Sequence, residues 1–507
     1  MRRFPLILPA LMLAATSVTT AGDIELNVKR HQLDNGMIIL VMENPTAPVV
    51  STFMRYNVGS VDEKPGITGT AHLLEHMMFK GTPTLGTRNF EAEVTIMEEI
   101  DRLAHEWEAE KAKLLSPFGG GSQERADALR DSIAEVQDQQ KEFVIKDELW
   151  GLYLKNGGTF LNASTGQNST QYYVQLPKNR LELWAYMEAD RIAHPVLREY
   201  YSERDVVYEE RRMRTENSPG GKLWEQFNST AFIAHPYGWP VVGWASDIST
   251  VMREQVEEFF IRYYAPNNLV AGVVGDVQAE EVFALCERYF GPIPSQPPPD
   301  PVFTEEPEPA GEKRIEVEYD AEPQMLIGYM STQLGNPDQA VMQVISSVLT
   351  DGRTSRLYKK LVDEKIARYI WSGDPGMVRY PDLFVFGTQP LEGYTCEDIE
   401  TIIYEELERI KTEPVTDWEM EKVRNQVEAA FINQLNSNMG MAIRLASWEQ
   451  MTGDWNHMTA HRDATMAVTA DDIQRVAQKY FDKKRRTVAI LVKPVEPEDG
   501  SKPQAMK

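Results

Sequence analysis

The chain has 507 residues, 42% of them apolar and 25% charged, with acids outnumbering bases 77 to 52. This composition supplies ample core and excludes a wholly disordered, collagen-like or disulfide-scaffold chain. The net charge of -25 excludes a general nucleic-acid or anionic-membrane binder, since both need a basic face.

Arg2 and Arg3 precede an apolar run, Phe4 to Ala15, that is too short to span a bilayer, and Thr19-Thr20-Ala21 then offers small residues for cleavage. Residues 1–21 read as an export signal, which places the mature protein in the periplasm or outside the cell. No later segment reads as membrane-spanning. Only two cysteines, Cys286 and Cys396, are present, and no disulfide framework is expected.

Asp34-Asn35-Gly36 is a turn signal, and Met37 to Met42 and Val49 to Val58 read as strands. A helix begins near Thr70, followed by a polar loop from Gly81 to Arg88. Met97, Ile100, Ala104, Trp107, Lys111 and Leu114 recur at helical spacing, as do Ala126, Leu129, Ile133, Val136, Gln140 and Phe143. Pro117 to Gly121 separates the two sets, so residues 91–150 are expected to form an acidic coiled-coil hairpin inserted in the first half. Gly157 to Leu176 returns to strand-like sequence, and Arg180 to Ile192 and Glu199 to Thr215 read as helices.

Residues 291–312 hold eight prolines and form a linker between a domain at 22–290 and another at 313–493, with a tail at 494–507. A repeat spans that linker. Val256, Phe259, Phe260, Tyr263 and Tyr264 lead into Leu269 to Val274, and Ile473, Val476, Ala477, Tyr480 and Phe481 lead into Thr487 to Val492 with the same spacing. Irregular mixing of strands and helices predicts an α+β fold of two homologous halves.

The chemistry concentrates in His72-Leu73-Leu74-Glu75-His76. Histidines four apart on a helix share a face and can hold one zinc ion, while Glu75 can reach a zinc-activated water as general base. A catalytic zinc site needs a third protein ligand. Glu203 and Glu210 lie two helical turns apart on one face, so one can bind the metal while the other orients a histidine or the water. His457 and His461 repeat the four-residue spacing without a catalytic glutamate, and no metal is expected there.

Together these motifs resemble the pitrilysin-type inverzincin zinc metallopeptidases, in the short-chain subgroup that includes the mitochondrial processing peptidase. Further matching motifs are Leu33 to Gly36, Leu161-Asn162-Ala163, Thr170 to Tyr173, His235-Pro236-Tyr237-Gly238 and Gly352 to Tyr358. The resemblance implies one zinc per chain held by His72, His76 and Glu210, with Glu75 catalytic, Glu203 supporting a ligand and Glu209 off the ligand face. It also implies half of a clamshell whose two halves close, peptide substrate bound along a sheet edge at Asn162 and Ala163, and Tyr369 touching substrate. The insert departs from the family pattern. So does Val362, which stands where family members place a substrate-contacting arginine. A dimer is expected, possibly a heterodimer with a zinc-lacking homologous subunit. The competing readings are a non-catalytic scaffold of the same fold, and a binding subunit whose acidic hairpin docks an envelope partner.

Overall fold

The computed structural model describes residues 26–374 and 376–494. The expected export signal, and the tail beyond its first residue, lie outside the described residues.

Among the described residues, eleven strands form two sheets. The first half supplies β1 (Val28–Gln32), β2 (Ile38–Glu43), β3 (Val49–Tyr56), β4 (Thr159–Thr165), β5 (Thr170–Pro177) and β6 (Leu269–Gly275), and the second supplies β7 (Lys313–Glu318), β8 (Gln324–Met330), β9 (Ala367–Gly373), β10 (Leu383–Pro390) and β11 (Arg486–Val492). The first-half helices are α1 (Thr70–Met77), α2 (Phe90–Leu115), α3 (Gln123–Gln140), α4 (Glu148–Lys155), α5 (Leu181–Ala193), α6 (Tyr200–Arg211), α7 (Pro219–Ala231), α8 (Ala245–Ile248), α9 (Arg253–Tyr263) and α10 (Ala279–Tyr289). The second-half helices are α11 (Asp338–Leu349), α12 (Cys396–Thr412), α13 (Asp417–Leu435), α14 (Asn438–Thr452), α15 (His457–Ala467) and α16 (Ala470–Tyr480).

The sheet orders are β1-β2-β6-β3-β5-β4 and β7-β11-β8-β10-β9. Without β1, the two orders correspond strand for strand. β6 runs parallel to β2 and antiparallel to β3, as β11 does to β7 and β8. The helix-then-strand repeat therefore places equivalent strands at equivalent points of two α+β sheets.

Alternation within strands sends side chains into two cores per half. In β6, Leu269, Ala271 and Val273 join the core under α1, α5, α9 and α10, while Val270 and Val274 face the other way. That second face is covered by α14, whose Met441, Ala442, Leu445 and Ala446 are fully buried against it. The second sheet mirrors this. Ile327, Phe386, Val488 and Ile490 pack under its own α11, α12 and α16, while Leu326, Val385, Ala489 and Leu491 meet Leu223, Phe227 and Ala231 of α7, which belongs to the first half. Each half thus lends the other a helix.

This exchange corrects the expectation that the two halves of one chain close on each other. Opening them would expose two apolar cores, so a chain is one rigid half of a clamshell. The proline-rich segment is extended but strapped down. Glu306 accepts from the N–H groups of Ile233, Ala234 and His235 at 2.8, 2.9 and 3.0 Å.

The insert forms two packed helices, α2 and α3, with Leu115 and Phe118 exposed at the tip. Its base is bound into the first half. Arg198 pairs with Glu93 while donating to the carbonyls of Lys80, Leu85 and Thr82, and Arg253 pairs with Asp101. The expected helix over 199–215 is broken, because α6 ends at Arg211 and a wider π turn, Arg212–Glu216, leads into α7. Cys286 and Cys396 are free and buried. Among the described residues, no helix is long and apolar enough to cross a membrane.

Close approach of α14 depends on Gly272, where a Cβ would lie 2.4 Å from the Ala442 carbonyl oxygen. Gly272→Val should displace α14 and lower stability by about 1–3 kcal/mol, read by denaturant unfolding. Asp382, beside Asp374 ahead of β10, is pushed up to about 7 by burial, against an ordinary value of 3.8. The unfolded chain releases this proton first, so the folded state is progressively penalised as pH rises from about 4 to 7. Asp382→Asn should therefore raise stability at pH 8 by about 1–4 kcal/mol and leave it nearly unchanged at pH 4.

Candidate metal centre

Helix α1 is held at its N-terminus by Glu63, whose carboxylate accepts from the N–H groups of Gly69 and Ala71, each at 2.8 Å. Gly69 has φ +89°, and a Cβ there would lie 2.5 Å from the Val242 carbonyl oxygen. Leu73, Leu74 and Met77 pack into the core. The other side of α1 presents His72, Glu75 and His76 to a cavity of about 820 Å³. The cavity is walled by α1, by α6, by Asn162 to Thr165 of β4, and by Val144 to Glu148.

Helix α6 brings Glu210 between the two histidines. Its Oε2 lies 3.3 Å from His76 Nε2 and its Oε1 lies 3.7 Å from His72 Nε2. One ligand atom from each of these three residues lies within 4.8 Å of the others, and among the described residues they are the sole such group. Two turns earlier, Glu203 Oε1 sits 2.9 Å from His76 Nδ1, while its Oε2 accepts from Lys80 Nζ at 2.7 Å. A carboxylate on Nδ1 fixes the tautomer that leaves Nε2 as the free donor. Two Nε2 atoms and a carboxylate are the donor set of a catalytic zinc site, so the residues present fit that ion.

The charges are mutually tuned. Burial, then the neighbouring His76, pushes His72 down to about 4. Burial also opposes charge on His76, but the hydrogen bonds with Glu203 and Glu210 outweigh it and hold this imidazole at about 9. Glu203 is likewise buried, yet His76 and Lys80 bring it down to about 2. Glu75 differs, since burial raises it while a hydrogen bond from Thr165 Oγ1 to its Oε2, at 2.6 Å, works the other way. The result is a Glu75 carboxylate whose affinity for a proton is raised, beside a His72 imidazole kept neutral and a His76 imidazole whose proton a bound metal would have to displace.

Glu209 is exposed and pairs with Arg212, away from the cavity. Asn162 and Ala163 lie on β4, an end strand of the first sheet, and the Ala163 N–H donates to Asn162 Oδ1 at 2.9 Å. Tyr369 lies on the corresponding end strand β9, half exposed, and does not line the cavity. Val362 packs partly buried against the second core. His461 meets Gln343 rather than a metal-ligating group.

Several residues at the site escaped the sequence reading. Thr165 carries no spacing signal. Arg214 pairs with Glu210 one helical turn before it, a spacing that could have found it, whereas Lys80 lies beyond the end of α1 and meets Glu203 through tertiary contact. The chain leaving the second helix of the insert also walls the cavity. The Ile145 N–H donates to Gly86 O at 3.0 Å and Glu148 accepts from Gly86 N at 2.6 Å, which pins this wall to the loop after α1.

Comparison with known proteins points to a peptidase family. The family model described as Insulinase (Peptidase family M16) matches residues 38–99, and that described as Peptidase M16 inactive domain matches residues 250–427. The chain is 28% identical over 476 residues to the zinc protease PqqE of Helicobacter pylori, covering 91% of this chain and 92% of that one. It is 22% identical to the probable mitochondrial-processing peptidase subunit beta of Arabidopsis thaliana, covering 89% of this chain and 76% of that one. Among solved structures, a protease from Helicobacter pylori superposes with a TM-score of 0.76 at 25% identity, covering 92% of this chain and all (100%) of that one. The first half of the periplasmic protease PqqL from Escherichia coli matches at 0.66 and 16% identity, covering 92% of each chain. Both matching family models are of the M16 peptidases and several matched relatives are named as zinc proteases, so the comparisons support the pitrilysin-type M16 family.

Glu203→Gln should weaken zinc binding about 10–100-fold without abolishing it, measured by competition with a chromophoric chelator. Glu209→Gln should leave the affinity unchanged.

Proposed function

We propose that this protein is an exported zinc endopeptidase acting on peptides and unfolded segments. The observation that carries the reading is the convergence of His72, His76 and Glu210 beside Glu75, at a cavity open to the edge of β4. When bound there, zinc would polarise the scissile carbonyl and acidify a water. Glu75 then takes the proton of the attacking water and returns it to the leaving amine. Thr165 orients the Glu75 carboxylate, and Glu203 holds the His76 ring. An extended peptide would add to β4 through backbone hydrogen bonds, displacing the Asn162 carboxamide from the Ala163 N–H.

Against a non-catalytic scaffold, the inactive-domain match covers 250–427, which contains none of His72, Glu75, His76 and Glu210. Export rests on the signal-like leader. It is supported by the likeness to a protein described as a periplasmic protease.

The rigid half-clamshell calls for a second chain to enclose substrate. The full PqqL chain from Escherichia coli is matched over 47% of its length, which suits a chamber built from two such units. Tyr369, absent from this chain's own cavity, would then reach substrate from the partner. Val362 supplies no hydrogen-bond donor, so a partner chain bringing an arginine would complete the site and favours a heterodimer over a homodimer.

Glu75→Gln should keep one zinc per chain and lose about 10²–10⁴-fold in turnover of dye-labelled casein. Unchanged cleavage by the pure variant would defeat the role of Glu75.

A further inference from the structure

Arg379 lies in the loop between β9 and β10, in the second half, and reaches into the first. Its Nη2 donates to Asp62 Oδ2 at 2.6 Å, and its Nε and backbone N–H meet Asn168 Oδ1 at 3.4 and 3.3 Å. The Tyr237 hydroxyl donates to the same oxygen at 2.6 Å. This is a built junction, with Asn168 and Tyr237 buried and the Asp62 side chain 5% exposed.

Asn168 belongs to the β4–β5 turn. The carbonyls of Gly166 and Gln167 in that turn accept from Ser60 and Val61 at 3.2 and 3.1 Å, in the segment that contains Asp62. Just before the turn, Thr165 ends β4 and donates to Glu75. Arg379 itself does not line the cavity. Its guanidinium therefore ties the turn, through Asn168, to the segment the turn rests on, through Asp62, and the position of that turn sets Thr165 and the free edge of β4.

We propose that Arg379 is a positioning residue for hydrolysis. By holding Asn168 and Asp62 together, it fixes the Thr165 hydroxyl against Glu75 Oε2 and makes the second half a requirement for turnover. This rests on the peptidase reading above, and it assigns the second half a role distinct from substrate contact by Tyr369.

The test compares kcat, KM and zinc content for Arg379→Met, Arg379→Lys, Thr165→Val and the Arg379→Met/Thr165→Val pair, with dye-labelled casein and a quenched fluorescent peptide as probes. Should Arg379→Met alone fail to fold with Asp62 unpaired, Asp62→Asn/Arg379→Met removes both charges and takes its place. A small misplacement of a catalytic group costs up to about 100-fold. The expected result is a loss in kcat of about tenfold or more, KM within about twofold, and zinc unchanged. Thr165→Val should show a similar loss, the pair should lose no more than the worse single variant, and Arg379→Lys should recover part of the rate. Full kcat in a folded Arg379→Met or Asp62→Asn/Arg379→Met protein would overturn the proposal. So would a loss confined to KM, a loss of zinc, or losses that multiply in the pair. If wild type cleaves neither probe, the peptidase reading fails instead. If wild type cleaves and the Arg379 variants match it, that reading stands and only the role of Arg379 falls.

Discussion

The exchange of α7 and α14 between the halves is the constraint on which the rest depends. Each sheet has two apolar faces and only one set of its own helices to cover them, so the far face is covered by a helix from the other half. Burial is non-directional, but close approach is not. α14 settles where Gly272 leaves room, and Phe227 of α7 rests on Gly328, where a Cβ would meet its ring at 2.5 Å. The relation of the halves is thereby set by packing rather than by the chain that joins them. Loop 376–382 can in consequence reach the turn beside the candidate centre in a reproducible place.

At that centre, one short helix separates the candidate metal ligands from the candidate base by rotation alone. His72 and His76 are a turn apart and aim at Glu210, while Glu75 aims at the β4 edge and meets Thr165. The two carboxylates of α6 that face the site divide their work by depth along the helix. Glu210 faces both Nε2 atoms, and Glu203 faces Nδ1 of one of them. Lys80 keeps Glu203 ionised, so the chain of charges runs from an ammonium through a carboxylate to an imidazole.

Much of this was legible in the residues, and for stated reasons. His72, Glu75 and His76 share a helix, where spacing converts directly into direction, and Glu203 and Glu210 do the same on α6. The repeat was legible because amphipathic spacing ahead of an apolar strand survives in both halves. What was not legible depends on tertiary contact. Nothing local marks α7 and α14 as lent helices, since a helix with an apolar face does not state whose sheet it covers. Thr165 reads as a strand residue like its neighbours. Val144 to Glu148 reads as the end of an insert until the bonds to Gly86 show it folded back over the cavity. The linker was read from its prolines, but Glu306 within it binds three consecutive N–H groups, which composition does not reveal.

The strand edges of the two sheets are treated unequally. β1 presents Lys29, Arg30 and His31, and β7 presents Lys313, Arg314, Glu316 and Glu318, charges that discourage pairing with another chain. β4 has no such guard, since Phe160 and Leu161 lie on it and Phe160 is 67% exposed. An open apolar edge is also where unwanted self-assembly begins. The carboxamide of Asn162 on the adjacent N–H answers this locally, because it satisfies the edge without covering it with charge. Such a stopper is reversible. On the function proposed above, an extended segment that replaced this one hydrogen bond would pair with β4, so the residue that guards the edge would also admit substrate.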